Sequence, residues 1–158
     1  MKKENYWKLA ASVVICLLAG FIGSFFTTPS IPTWYASLAK PAFNPPNWLF
    51  APVWTLLYIL MGVAFFLVWR KSAKNKNFKI SAALFALQLF LNASWSLVFF
   101  GMRNIGGALA VIILLWLAIL ANIVWFWRSS HAAAALLIPY IAWVSFAAFL
   151  NYFVWMLN

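Results

Sequence analysis

Polar residues interrupt the chain only rarely. Apolar runs cover about 9–26, 47–69, 80–101, 105–127 and 133–157. None alternates with the two-residue period of a barrel strand, and each is long enough, at about 1.5 Å per residue, to cross a hydrocarbon core of about 30 Å. Lipid leaves backbone groups no outside partner, so the spanning elements must be helices. The pattern predicts an all-α, integral membrane bundle of five transmembrane helices in one domain, residues 1–158. The joints "RKSAKNKNFK", "GMRN" and "RSSHAA" are short, and one longer loop remains at 27–46.

Composition agrees. The chain is 67% hydrophobic and only 8% charged, against roughly 25% charged for a soluble domain. The lipid bilayer is thus the first expected partner. The first run follows basic residues as a signal peptide would. Its length and the lack of a small-residue cleavage pattern favour a retained span.

The net charge of +10 would suit nucleic acid, but its distribution points elsewhere. Lys2, Lys3, Lys8, Arg70, Lys71, Lys74, Lys76, Lys79 and Arg128 fall on one side of the membrane, and only Lys40 and Arg103 on the other. Basic residues collect on the cytoplasmic side. The N-terminus is therefore expected in the cytoplasm of a multi-pass cell-membrane protein, with the long loop and the C-terminus outside. No soluble basic domain exists to hold nucleic acid.

Familiar catalytic chemistry is missing. The only carboxylate is Glu4, and there is one His and one Cys. No proton relay, metal cluster or acid–base pair can be assembled within the spans. His131 reads as an interfacial polar residue and Cys16 as an apolar filler. Rings are abundant instead: 11 Trp, 16 Phe and 5 Tyr. Many fall at span ends, where aromatic belts form. Trp54, Trp95, Trp116 and Trp143 lie deeper, where an indole N–H needs a partner.

The deep rings follow helical spacing. Trp54, Tyr58, Met61 and Phe65 share a face of the second span. Gln88, Asn92, Trp95 and Phe99 share one on the third, and Tyr140, Trp143, Ala147 and Asn151 one on the fifth. Each stripe can be interhelical glue, since Asn and Gln bond across helices in lipid. Together, with Ala147 leaving room, they can also line an aromatic cavity for a planar hydrophobic small molecule. The loop "WYASLAKPAFNPPNWLFAPVWTLLY" carries four of the seven prolines. These keep its Pro41–Pro46 part non-helical and stiff. It can be a lid over the bundle mouth or a loop merely packed at the interface. Lys40 and Arg103 are candidates for a cationic outer rim.

That loop resembles the signature of the translocator protein family, also called TspO/MBR or tryptophan-rich sensory proteins. The matching residues are Trp34, Tyr35, Leu38, Lys40, Pro41, Phe43, Pro45 and Pro46, then Trp54, Leu57 and Tyr58. "LNASWSLVFFGMRN" (91–104) and "LLIPYIAWVSFAAFLN" (136–151) match as well. The resemblance implies a five-helix homodimer that binds protoporphyrin IX or a related tetrapyrrole, benzodiazepine-like ligands and, in animal members, sterols. It implies a pocket of Tyr35, Pro45, Trp54, Tyr58, Asn92, Trp95, Trp143, Ala147 and Asn151. No cofactor and no metal are expected. Receptor or sensor is the leading expectation. Light-dependent porphyrin degradation, with Trp54 and Trp143 as redox partners, and tetrapyrrole or sterol transport are the alternatives. The sterol pattern is incomplete, because no Lys or Arg follows Tyr152.

Overall fold

The computed structural model describes residues 3–72 and 76–158. Lys2 and Lys74, both part of the charge asymmetry, lie outside the described residues. The first helix, α1, is Lys3–Ser30. A single turn, α2 (Trp34–Ser37), and a 3₁₀ turn (Asn47–Leu49) lead into α3, Phe50–Ser72. Then come α4 (Lys76–Ser96), running on as a π-helical turn (Leu97–Gly101), and α5 (Ile105–Trp127). The last rod is broken into α6 (His131–Leu136) and α7 (Ile138–Leu157). Five helical stretches of 23 to 27 residues are long and apolar enough to cross a membrane. No strand occurs among the described residues. The all-α five-helix bundle read from the sequence is the observed fold.

Several boundaries differ from the sequence reading: α1 begins at Lys3 and α4 at Lys76, ahead of the expected 9 and 80, and α3 runs to Ser72, past the expected 69. The first helix runs to Ser30, past the expected end at 26. Pro29 falls in its last turn, where the missing N–H removes one hydrogen bond and no later turn depends on it. The fifth rod starts at His131, with Ser130 as its cap: the Ser130 hydroxyl accepts from the Ala133 N–H at 3.4 Å. Pro139 at the start of α7 explains the break between α6 and α7.

The rods close into a ring. Helix α1 packs on α3 and α4, α4 on α5, and α5 on α6 and α7. Helix α3 completes the circuit mainly through α6 and touches α7 only slightly. Lipid is as apolar as a leucine side chain, so close packing and interhelical hydrogen bonds must hold the rods together. Gly62 shows the packing. A Cβ there would lie 2.6 Å from the Val13 Cα, so the α1 and α3 backbones touch and only glycine fits. Asn122 and Trp116 show the bonding. The Asn122 amide donates to the Leu84 carbonyl at 3.0 Å, joining α5 to α4, and the Trp116 indole donates to the Ser145 hydroxyl at 2.8 Å, joining α5 to α7.

The half of the bundle nearer the basic residues Lys8, Arg70 and Arg128 is the more closely packed, with a space of only 190 Å³ between α1, α3 and α4. Phe65 stacks on Phe85 at 4.4 Å, and Phe85 on Phe126 at 6.2 Å. Met61, Ala64, Val68 and Leu137 fill the gaps and are fully buried. At the other end the π turn carries a bond from the Met102 N–H to the Leu97 carbonyl at 2.8 Å. One extra residue per turn lets consecutive side chains, Phe99 and Phe100, both face inward, and both are buried. Arg103 then takes a left-handed φ of 54°, and Asn104 starts α5 by accepting from the Gly107 N–H at 2.8 Å.

Candidate functional site

A cavity of 390 Å³ occupies the loop half of the bundle, between α1, α3, α7 and the end of α4, beneath α2. It exists because α3 leans on α6 and leaves α7. Small Gly20, Gly23, Ala51 and Ala147 surround the opening so formed.

Eight of the nine residues expected at a binding site line this one space. Trp54 and Tyr58 reach it from α3, Asn92 and Trp95 from α4, Trp143, Ala147 and Asn151 from α7, and Tyr35 from α2. Pro45 does not line it. Its carbonyl accepts from the Asn44 amide at 3.0 Å, and Asn44 in turn accepts from the Tyr35 hydroxyl at 3.0 Å. The turn at Asn44, whose N–H donates to the Pro41 carbonyl at 2.9 Å, holds Pro45 behind Tyr35. It supports the roof without facing the space. Lys40 and Arg103 do not line the space either. The Lys40 ammonium caps the Leu38 carbonyl at 2.9 Å and lies 4.8 Å from the Tyr35 ring centre, while the Arg103 guanidinium lies 6.0 Å from that of Trp34. Both cations are occupied with the roof.

The polar groups combine the two roles that the stripes left open. Asn92 accepts from the Tyr58 hydroxyl and donates to that of Tyr140 at 2.8 Å, tying α4 to α3 and α7 at the cavity floor. Asn151 accepts from the Trp95 indole at 3.0 Å and donates to the Ile105 carbonyl at 2.9 Å. These are interhelical bonds, and they also hold two wall rings, Tyr58 and Trp95, in fixed orientations. Each stripe therefore divides. Its loop-side members face the cavity, and Met61, Phe65, Gln88 and Tyr140 pack below it. The Gln88 amide, for example, rests on the Met61 sulfur at 3.6 Å.

Among the described residues one buried side-chain donor is left over. The Trp143 Nε1 is buried and has no hydrogen-bond partner. An unmet buried N–H costs roughly 1–3 kcal/mol. Trp143 is a wall residue, held edge-on by Phe50 at 6.1 Å. The nitrogen is shut off from the cavity too, so what the space offers a ligand is the Trp54, Trp95 and Trp143 rings on three helices.

The roof is α2. Tyr35 is 5% exposed, and its ring lies 5.7 Å from that of Phe100. Burial raises its phenol above the ordinary range, partly offset by the bond to Asn44. The hydroxyl is thus a neutral donor at physiological pH.

Sequence reasoning missed a whole wall. Leu17, Gly20, Gly23, Ser24 and Thr27 of α1 line the cavity. A run of small residues at three-to-four spacing was the available signal. Phe100 was missed as well, because only the π turn brings it inward.

A five-helix membrane bundle around an aromatic cavity, roofed by a proline-rich loop, defines the class. A profile of the TspO/MBR family matches residues 12–156. The tryptophan-rich protein TspO of Archaeoglobus fulgidus is 45% identical over 154 residues, covering 98% of this chain and 99% of the relative. The human translocator protein is 40% identical over 139 residues, covering 87% and 82%. The tryptophan-rich sensory protein of Cereibacter sphaeroides is 38% identical over 125 residues, covering 79% and 77%. The chain belongs to the TspO/MBR family and is a multi-pass membrane protein.

Proposed function

We propose that this protein is a membrane receptor that binds porphyrin-type tetrapyrroles, and benzodiazepine-like molecules, in the aromatic cavity. The observation that carries the reading is a largely apolar space walled by the Trp54, Trp95 and Trp143 rings from three different helices. The cavity, at 390 Å³, lies within the range of about 300–1,000 Å³ usual for small-molecule sites. Trp54 and Trp95 supply stacking faces. Trp143 adds a third ring face. Relatives are named for sensing and for translocation. A cavity without a proton relay suits sensing through occupancy, because charge-coupled pumping requires ionisable groups inside the spans. The basic residues set the N-terminus in the cytoplasm, with the cavity in the opposite half of the bilayer.

Protoporphyrin IX titrated into the protein in nanodiscs should quench tryptophan fluorescence saturably. Trp54→Phe and Trp143→Phe should each weaken the binding. Unchanged affinity in both variants would show that the cavity is not the site.

A further inference from the structure

The cavity is roofed but not walled on every side. Phe21 and Thr28 of α1, and Ala51 and Thr55 of α3, line it and are also exposed on the outer surface of the bundle. Phe21 is 58% exposed. Side chains that face both an inner space and the surroundings mark a mouth, and this one lies between α1 and α3. Further from the loop the same two helices are locked together. Gly62 meets the Val13 backbone, and a Cβ at Gly20 would lie 2.7 Å from the Tyr58 Cδ2. The helices touch as far as Gly20 and Tyr58 and part beyond them. All four mouth residues belong to the stretches Asn5–Ser30 and Asn47–Lys71, which are apolar enough to span a membrane. What lies outside the gap is therefore lipid.

The gap is dressed for lipid. The hydroxyl of Ser24 donates to the Phe21 carbonyl at 2.6 Å, that of Thr27 to the Gly23 carbonyl at 3.1 Å, and that of Thr55 to the Ala51 carbonyl at 2.8 Å. Each of these protons is taken up by its own helix, so these hydroxyls present no unmet donor to hydrocarbon.

The roof, by contrast, is fastened. The Ala39 N–H donates to the Asn158 side-chain oxygen at 3.0 Å, and the Asn158 amide donates back to the Ala39 carbonyl at 3.0 Å. Phe43 stacks on Phe149 and meets Phe153 edge-on, both at 5.5 Å. Tyr35 is bonded to Asn44 within the loop.

We infer that ligand enters and leaves the cavity sideways, from the bilayer, through the gap between α1 and α3, while the loop is a fixed roof. The inference rests on the cavity being a ligand site, and it narrows the ligand class to membrane-dissolved amphiphiles with an apolar body and few ionised groups. Tetrapyrroles ringed with carboxylates, which stay in water, are excluded by their route.

The test compares wild type, a Ser24→Phe/Thr55→Phe double variant that fills the gap, and Asn158→Ala, which unfastens the roof. In the first arm, protoporphyrin IX is mixed with protein in nanodiscs and tryptophan quenching is followed in time. The double variant should load and release the probe about ten-fold more slowly, and Asn158→Ala should load at the wild-type rate. Loading by the double variant at the wild-type rate would overturn the inference, as would faster loading by Asn158→Ala. The second arm needs no ligand. In bilayers of brominated-chain phosphatidylcholine, acyl chains reaching through the gap should quench wild-type tryptophan more than that of the double variant. Equal quenching would overturn the inference. Failure of protoporphyrin IX to bind wild type would defeat the receptor reading alone, and the brominated lipid would still decide the route.

Discussion

The two halves of the bundle are built from the same residue types and end up opposite in kind. Near the basic end, Phe65, Phe85 and Phe126 stack on one another, leaving only a smaller space of 190 Å³ beside Phe65 and Phe85. Near the loop end, Trp54, Trp95 and Trp143 stand around a space of 390 Å³. Ring content does not decide which half is hollow. Helix divergence does: α3 rests on α6 and parts from α7, with the break at Pro139 between them. The polar groups follow the same division. Gln88 is spent on internal packing with Met61, whereas Asn92 and Asn151 hold wall rings in place. In lipid, where no water need be expelled, a hole persists only if its rim is tied by hydrogen bonds and close backbone contacts.

The comparison breaks most sharply at Gly62, the contact that joins the halves. Gly62→Val forces α1 off α3 against the Val13 backbone and should destabilise the fold by about 3 kcal/mol, read by reversible unfolding in mixed micelles. Affinity should fall with it, because the floor ring Tyr58 is one turn away. Phe85→Ala should damage the closely packed half alone. Lipid removes most of the transfer contribution, so the loss is mainly the cavity term, about 2 kcal/mol. Protoporphyrin IX affinity of the folded variant should stay within about two-fold of wild type, since the stack lies below the floor.

Trp143→Phe should do the reverse. It trims a ring from the cavity wall that makes no interhelical hydrogen bond. Unfolding should show the fold little changed, while titration shows affinity weaker by about 1 kcal/mol from the lost stacking surface. Asn158→Ala should cost only about 0.5 kcal/mol of fold stability. Its signature should be faster amide hydrogen exchange at Ala39, with equilibrium affinity intact.

The smallest effect should be that of pH. The folded-state value of Tyr35 is raised above its ordinary 10.0 by burial. Its contribution is therefore complete below the unfolded value and fades only as pH climbs through the folded one. Titrations between about pH 6 and 9 should superimpose.

Much of this was legible in the sequence because lipid is a strict solvent. Uncharged apolar runs can only be spanning helices, and Asn92, Trp95, Asn151 and Trp143 share helix faces by spacing alone. What spacing cannot tell is which turn of a stripe meets a neighbour and which meets a void. That depends on rod angles, set here by Gly62 and Pro139. Pro45 was misplaced for a related reason. A loop without period gives no rule for which side faces in, and the Asn44 turn decided it. The α1 wall was overlooked because Gly20 and Gly23 contribute room and no chemistry. The clasp between Asn158 and Ala39 joins positions 119 apart in sequence, with nothing local to announce it.

The central claim, that the loop half is a preformed slot for a flat ligand, is tested most directly by filling it. Ala147 lines the space without closing it. Equilibrium titration of Ala147→Trp with protoporphyrin IX in nanodiscs, beside wild type, should show affinity lower by at least about a hundred-fold, with the melting temperature unchanged. Wild-type affinity in a folded Ala147→Trp protein would contradict the account.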